Sequence, residues 1–401
     1  MHAAAVCTLP LTVGVATASA PATLTRTSAP GGQWNAVTVG SDGRKLTATT
    51  VFGIGSLSLP GVIFSTDGGT TWRNATDAPP VGLLAASASG DQLVGVTILQ
   101  RSTSVHTSRD SGKTWALAGV GALVNKTVTA LASSADGKKI VLAATSTGKV
   151  QSPESAQQGG IWLSDDGGKT FVRSTGAAEA TVGSQLITPP LKPTELWRAL
   201  AVSADGRRIL ALQSGNLGQA ISTDGGKTWR SVAGLESVRS PLWETAASSF
   251  DGRTMYAAGA NGTIWVTKDG AGTWTNTSAP DAWWTSVSTS ASGRVVVAAC
   301  QTMSRIKTQG GLFVSRDGGA SFARVAGTND DALKREDSEG SEPFWSSVAV
   351  SGDGKTFVAG VFNGGLFAGQ VVKVAVAKAP APGAVAKASA PAPGTRRLLA
   401  A

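Results

Sequence analysis

One hydropathic phrase recurs along the chain. A bulky apolar residue opens a short apolar run, an Asp or Ser followed by Gly stands eight positions later, and a second apolar run follows. The anchors are Asp42, Ser89, Asp136, Asp205, Asp251, Ser292 and Asp353, and the residues eight positions before them are Trp34, Val81, Val128, Trp197, Trp243, Trp284 and Trp345. Two apolar runs around an Asp-Gly or Ser-Gly pair predict a hairpin, because Gly supplies the positive φ that a tight turn needs. Residues 197–203 and 208–212 are one such pair of expected strands, A and B. Successive anchors lie 41 to 69 residues apart, which suits a four-stranded blade and is too long for a leucine-rich or ankyrin unit.

A second phrase follows six of the anchors. It reads Ser65-Thr66-Asp67-Gly68-Gly69-Thr70-Thr71-Trp72 in the first copy and returns at residues 108–115, 164–171, 222–229, 267–274 and 315–322, with its Asp at Asp67, Asp110, Asp166, Asp224, Asp269 and Asp317. The chemistry is that of a second hairpin, between strands C and D: the carboxylate accepts backbone N–H groups, Gly takes φ > 0, hydroxyls close the turn and the aromatic packs between sheets. The fifth copy carries Ala271 where the others carry Gly, so a distorted turn is expected there.

This phrase resembles the Asp-box, or BNR, repeat S-x-D-x-G-x-T-W. The resemblance implies an all-β fold, a seven-bladed β-propeller of four-stranded antiparallel blades spanning residues 21–369, and it implies that the six Asp residues are structural rather than catalytic. The seventh module has strand B at residues 357–361 and a strand C beginning at 364–367, but no Asp turn follows it. Residues 23–30 match the strand-D segment 273–280 at six of eight positions, so the amino-terminal strand is expected to pair with the last strand C and close the ring. Residues 371–376, which alternate, compete for that place.

Composition adjusts this picture in three ways. Fifty glycines and only 15% charged residues favour short strands and tight turns over solvated helices. The net charge of +9 owes five bases, Lys373, Lys378, Lys387, Arg396 and Arg397, to the Ala/Pro-rich residues 370–401, which contain no acid and read as a disordered tail. The remaining charge is scattered, without the basic stripe of a nucleic-acid groove, so nucleic acid is not an expected partner. Residues 1–20 resemble a secretory signal ending in small residues, which points to an extracellular or secretory-pathway location or to an organelle lumen, and four N-x-[ST] sequons begin at Asn74, Asn125, Asn261 and Asn276. No apolar run is long enough to span a membrane, and a monomer is expected.

Function is expected on the face opposite the short turns. The long segments 52–61, 145–160, 174–195, 300–311 and 326–344 all fall between B and C or between D and the next A, and variable loops on a rigid scaffold are where ligands bind. The start of strand A lies on that face near the axis, so Trp34, Trp197, Trp243, Trp283, Trp284 and Trp345 are candidates for stacking on a glycan or on a protein partner, with packing between blades as the alternative. Glu154, Glu195, Glu244, Asp281, Asp330, Asp331 and Glu342 are the acids that a glycoside hydrolase could use there. Sialidase chemistry is not expected, since the Arg-Ile-Pro-like segment is missing and the one tyrosine, Tyr256, falls inside a strand-B pattern. His2 and His106 cannot cluster into a metal site, Cys300 fits a core position, and no cofactor is expected. The chain also resembles photosystem II assembly and stability factor propellers, which implies a membrane-protein assembly partner as another possibility. A sortilin-type receptor propeller is a third relative, but its ten blades and cysteine-rich annex have no counterpart here.

Overall fold

The computed structural model describes residues 22–50, 61–99, 102–118, 123, 126–146, 160–174, 177–178, 197–213, 219–232, 234–235, 242–260, 262–301, 310–327 and 343–372. Among these residues every regular element is a strand. The five long segments, the leader and the tail lie mostly or wholly outside the described residues.

Strand β1 (Ala22–Arg26) precedes a quartet formed by β2 (Gly32–Val39), β3 (Leu46–Thr50), β4 (Val62–Ser65) and β5 (Arg73–Asn74). The same antiparallel meander follows in β6 (Val81–Ala86), β7 (Leu93–Leu99), β8 (Ser102–Ser108) and β9 (Ala116–Ala118), and in β10 (Lys126–Ser133), β11 (Ile140–Ser146), β12 (Gly160–Ser164) and β13 (Val172–Arg173). A short β14 (Ala177–Ala178) runs parallel to the outer edge of the next quartet, β15 (Trp197–Val202), β16 (Ile209–Gln213), β17 (Gln219–Ser222) and β18 (Thr228–Ser231). Then come β19 (Leu242–Ser248), β20 (Met255–Ala260), β21 (Trp265–Thr267) and β22 (Thr275–Asn276), followed by β23 (Trp283–Thr289), β24 (Val296–Gln301), β25 (Gly311–Ser315) and β26 (Ala323–Arg324). The chain ends its strands with β27 (Trp345–Val350), β28 (Thr356–Gly364) and β29 (Leu366–Val371).

β1 pairs antiparallel with β29, from Ala22 opposite Val371 to Arg26 opposite Phe367. β28 also pairs with the first residues of β2, so the first and last groups of strands form one eight-stranded sheet. Val371 itself belongs to β29, which removes the start of the competing segment 371–376 from contention; its remainder lies outside the described residues.

The burial pattern follows from stacking sheets face to face. The second strand of each quartet is sandwiched on both sides and reads as a nearly continuous apolar run; Ile209–Gln213 is buried at every position. The outermost strands are short and exposed, as in β5 and β22, which carry Asn74 and Asn276. Each core is shared between neighbouring sheets: Trp243 of β19 packs with Leu210 and Leu212 of β16, and Trp345 of β27 with Val297 and Leu312 of the preceding sheet.

The turns at the anchors supply a second level of organisation. Each anchor Gly, from Gly43 to Gly354, has φ between 67° and 75°, as the hairpin requires. Each turn also donates one backbone hydrogen bond to the next: Ser41 N–H to the Ala88 carbonyl, Ala88 to Ala135, Ala135 to Ala204, Ala204 to Phe250, Phe250 to Ala291 and Ala291 to Gly352, at 2.7–2.9 Å. Asp353 N–H then donates to the Ser41 carbonyl at 3.2 Å, which returns the relay to its first turn. The first strands pack in the same order, and β27 packs against β2.

Docking of β1 covers the edge of β29 and buries Ala22. Deleting residues 22–27 is expected to lower the melting temperature by about 5 °C or more, since an unpaired edge and an opened core would cost several kcal/mol. Circular dichroism melts of the full and truncated chains measure this directly, and an unchanged transition would show that β1 is dispensable.

Candidate functional site

The two ends of the sheets differ in chemistry. At one end lie the anchor turns and the Ser-x-Asp turns, held together by bonds such as Gly68 N–H to the Arg44 carbonyl (2.8 Å) and Gly225 N–H to the Arg207 carbonyl (2.8 Å). The first strands begin at the other end, the loop end.

The six Ser-x-Asp turns share one hydrogen-bond scheme. In the turn at Asp224, Ser222 Oγ donates to Oδ1 at 2.8 Å, Thr228 N–H donates to Oδ1 at 2.9 Å, Thr228 Oγ1 donates to Oδ2 at 2.6 Å, and Gly226 N–H donates to Ser222 Oγ at 2.8 Å. Asp67, Asp110, Asp166, Asp269 and Asp317 repeat it. Every carboxylate oxygen is thereby engaged inside its own turn. The expectation of a distorted fifth turn is corrected: Ala271 adopts φ 71° and its N–H donates to Thr267 Oγ1 at 3.0 Å, so the bond pattern holds an alanine in the left-handed region. Ala271 is buried in the core that contains Trp243 and Trp274.

Such bonds hold these aspartates below the usual carboxylate range. The Thr71 hydroxyl, the Thr71 N–H and the Ser65 hydroxyl bring Asp67 down to about 2. At Asp166 and Asp353 burial pulls upward, but hydrogen bonds from Thr170 and Ser164 in the one, and from Lys355 and Ser351 in the other, outweigh it and bring each down to about 2.

At the loop end, the expected ring of ligand-facing indoles is corrected at five positions. Trp34, Trp197, Trp243, Trp284 and Trp345 are buried, because the side chain at this register points between sheets rather than toward the axis. Trp34 Nε1 donates to the Gly364 carbonyl at 3.1 Å and Trp284 Nε1 to the Gly262 carbonyl at 2.9 Å; Trp284 meets Phe313 edge-on at 5.5 Å, and Trp345 meets Phe367 at 5.4 Å. Trp283, the neighbour that must point the opposite way, keeps 36% of its surface exposed. Leu242, at the equivalent position one sheet earlier, is 42% exposed, and Phe344, one sheet later, is half-buried against Phe362.

Reasoning from sequence missed a bulge. The register of every first strand slips immediately after the buried Trp or Val, between Trp34 and Ala36, Val81 and Leu83, Val128 and Ala130, Trp197 and Ala199, Trp243 and Thr245, Trp284 and Ser286, and Trp345 and Ser347. The extra residues are Asn35, Gly82, Thr129, Arg198, Glu244, Thr285 and Ser346. A bulge re-aims its side chain, and four of these reach the next first strand. Asn35 Nδ2 donates to the Gly82 carbonyl, Thr129 Oγ1 to Trp197 (2.5 Å), Thr285 Oγ1 to Trp345 (2.7 Å) and Ser346 Oγ to Trp34 (2.7 Å). Arg198 and Glu244 are the charged members and occupy adjacent strands. Burial pushes the Glu244 carboxyl up, and the Arg198 guanidinium pulls it partly back. The bulge is invisible in hydropathy because one inserted polar residue leaves the eight-residue spacing unchanged.

Of the other candidate acids, Asp281 is described, and Glu154, Glu195, Asp330, Asp331 and Glu342 lie outside the described residues. Tyr256 is buried with its hydroxyl donating to the Gly293 carbonyl at 2.7 Å, and burial pushes its ionisation up, which fits packing rather than nucleophilic attack. Cys300 is a buried thiol in the same core. His106 accepts from or donates to Ser104 Oγ at 3.0 Å, and its ring is pushed toward neutrality by burial. Among the described residues no three metal-ligating side chains cluster, and no helix is long and apolar enough to cross a membrane.

Comparison with known proteins places the architecture. The Sortilin-Vps10 family model, described as sortilin, neurotensin receptor 3, matches residues 219–341. No curated protein matches the chain by sequence. A GH74 xyloglucanase from Xanthomonas campestris is 18% identical with a TM-score of 0.60, over 87% of this chain and 53% of that one. A second GH74 enzyme, from Niastella koreensis, is likewise covered over 53% of its length, so the chain spans about half of either. YCF48 from Cyanidioschyzon merolae is 14% identical with a TM-score of 0.54, over 86% of this chain and 98% of that one, and YCF48 has also been solved bound to a D1 peptide. The β-propeller domain of Cps50 (Swd1) from Myceliophteria thermophila is 14% identical with a TM-score of 0.57, over 88% of this chain and all of that domain. The chain is a β-propeller built of four-stranded antiparallel sheets. At these identities the likeness concerns the fold alone.

The depressed aspartates carry a pH signature. They bind fewer protons folded than unfolded, where aspartates titrate near 3.8, so the stability they contribute is present above about pH 4 and is lost as pH falls through about 2. Melting temperature is expected to be flat with respect to these groups above about pH 5 and to drop steeply between about pH 4 and 2. Asp166→Asn should melt lower at neutral pH and show a shallower acid limb. Calorimetric melts across that range read both.

Proposed function

We propose that this chain is a seven-bladed Asp-box propeller whose ring is closed by the amino-terminal strand, and that it is an exported, non-catalytic binding or assembly module recognising a glycan or protein partner at its loop end. The hydrogen-bond relay that starts and ends at Ser41 and the pairing of β1 with β29 support the seven-bladed ring. The observation that carries the function is the contrast within the first strands. Five of the six candidate tryptophans fill the cores, while Trp283 and Leu242 leave apolar surface exposed at the start of β23 and β19, neighbouring first strands of which β19 also carries the bulge residue Glu244 and packs against the strand of Arg198. Such a patch combines an aromatic surface with one acceptor and one cation, the mixture that binding sites use to fix a partially apolar ligand. The resemblance of residues 1–20 to a secretory signal supports export, and the D1 peptide bound to YCF48 offers a precedent for a peptide ligand on a propeller of this kind.

A hydrolase is the second reading, favoured by the GH74 likeness and by Glu244, whose carboxyl burial holds above the usual carboxylate range, as suits a general acid. It requires a second carboxylate about 5 to 10 Å away across the scissile bond. Incubation with a panel of polysaccharides and sialosides separates the two readings. Sugar release that Glu244→Gln abolishes would establish the enzyme, whereas no release across the panel is expected of the binder.

The binding reading makes a paired expectation for adjacent residues. Trp283→Ala should weaken retention on the native ligand about ten-fold, as loss of an exposed aromatic anchor does, while the melting temperature stays within about 2 °C. Trp284→Ala removes a buried indole and should cost about 3–5 kcal/mol of stability. A pull-down from the native source followed by affinity measurements on both variants tests this, and unchanged retention by Trp283→Ala would remove the loop-end patch from consideration.

A further inference from the structure

The Ser-x-Asp turns are plugs as well as hairpins. Four of the six seat by hydrogen bonds on the sheet before them: Ser28 Oγ donates to the Thr70 carbonyl at 2.9 Å, Thr76 N–H to Lys113 at 2.9 Å, Ser174 Oγ to Gly226 at 2.8 Å and Ser278 N–H to Gly319 at 3.2 Å. Cations of the receiving sheet reach the same turns, Lys139 Nζ donating to the Gly225 carbonyl at 3.0 Å and Arg230 to Gly270 at 3.5 Å. A carbonyl-rich Asp-Gly turn thus meets a basic, hydroxyl-bearing seat.

Among the described residues the last sheet has no such plug. β29 stops at Val371 and its partner β1 starts at Ala22 at the same corner, so no turn joins them. A cleft of about 680 Å³ opens there, lined by Arg294, Val295, Arg316, Lys355, Val371 and Val372 among others. The two acids on its wall are already engaged. Asp317 accepts from Ser315 and Ser321, and Asp353 accepts from Ser351 Oγ and the Lys355 N–H while Lys355 Nζ lies 2.8 Å from its other oxygen. Arg316 Nη1 donates to the Val372 carbonyl at 2.7 Å, which holds it at the cleft rim, and the Arg294 side chain is exposed. Basic side chains and apolar Val residues therefore line a space of the kind that an Asp-Gly turn fills elsewhere in the molecule.

We propose that this cleft is a socket for an acidic glycine turn supplied by a second polypeptide. The occupant is defined by the molecule's own repeat: a compact Ser-x-Asp-Gly-Gly segment whose carboxylate and turn carbonyls meet Arg294 and Arg316, and whose apolar end rests on Val295 and Val371. The socket lies at the turn end, away from Trp283, so its occupancy is independent of ligand binding at the loop end.

The test uses the full chain and a synthetic peptide with the sequence of residues 222–229, Ser-Thr-Asp-Gly-Gly-Lys-Thr-Trp. Amide shifts in a proton–nitrogen correlation spectrum should saturate with peptide at Ser292, Ser321 and Gly354. Arg294→Glu should weaken the fitted affinity at least ten-fold with an unchanged melting temperature, and the peptide with Ala in place of its Asp should bind at least ten-fold more weakly. No saturable shift, equal binding of a scrambled peptide, or binding indifferent to Arg294→Glu would overturn the proposal. Displacement of the peptide by inorganic phosphate or citrate at matching concentrations would also overturn it, by showing a site for a free anion only. Failure of the Trp283 experiment leaves this result untouched, and the reverse holds as well.

Discussion

The relay of backbone hydrogen bonds from anchor turn to anchor turn is the constraint on which the rest depends. A hairpin turn leaves N–H and carbonyl groups facing outward, and each of them needs a partner. Each turn solves this by donating to its successor, from Ser41 through Ala88, Ala135, Ala204, Phe250 and Ala291, until Asp353 donates back to Ser41. Because each bond fixes one turn relative to the next, the spacing of the sheets is set at this end before any side chain is considered. The glycine after each anchor is the local condition for it, since its left-handed φ presents the neighbouring N–H outward.

From that fixed end, packing proceeds outward and toward the loop end. The second strands are buried on both faces and are filled mainly by apolar or small residues, as at 209–212 and 296–300. Indoles at the start of five of the first strands pack between adjacent sheets; the edge-on contact of Trp284 with Phe313 and of Trp345 with Phe367 repeats one solution in two places. The bulge that follows this position then turns a polar residue out of the sheet, and four of the seven tie themselves to the next strand. Arg198 and Glu244 break that neutral pattern side by side, which is why this sector of the loop end differs chemically from the rest.

The Ser-x-Asp turns illustrate how little a motif says about activity. Six carboxylates in one repeated motif look like ligands or catalysts, yet each accepts the hydrogen bonds of its own turn, and such bonds hold Asp67 and Asp166 below the usual carboxylate range. Where the motif is missing, beside β29, the same logic leaves a lined cleft in place of a plug. The informative positions of a repeat are accordingly those at which it is interrupted.

Periodicity in the sequence determined the strands, the hairpin turns, the buried second strands and the partnership of the amino-terminal strand with β29, because these follow from local hydropathy and turn chemistry. Even the strand boundaries fall within a residue or two of the phrase, as at Trp197–Val202 and Ile209–Gln213. The direction of each tryptophan was beyond its reach. Trp283 and Trp284 are adjacent and identical in type, and which of them enters the core depends on the register that neighbouring sheets impose. The bulges, the proximity of Arg198 to Glu244, the tolerated left-handed Ala271 and the socket beside Val371 likewise arose only from tertiary structure. Each depends on contacts between segments tens to hundreds of residues apart, whose distances no local pattern encodes.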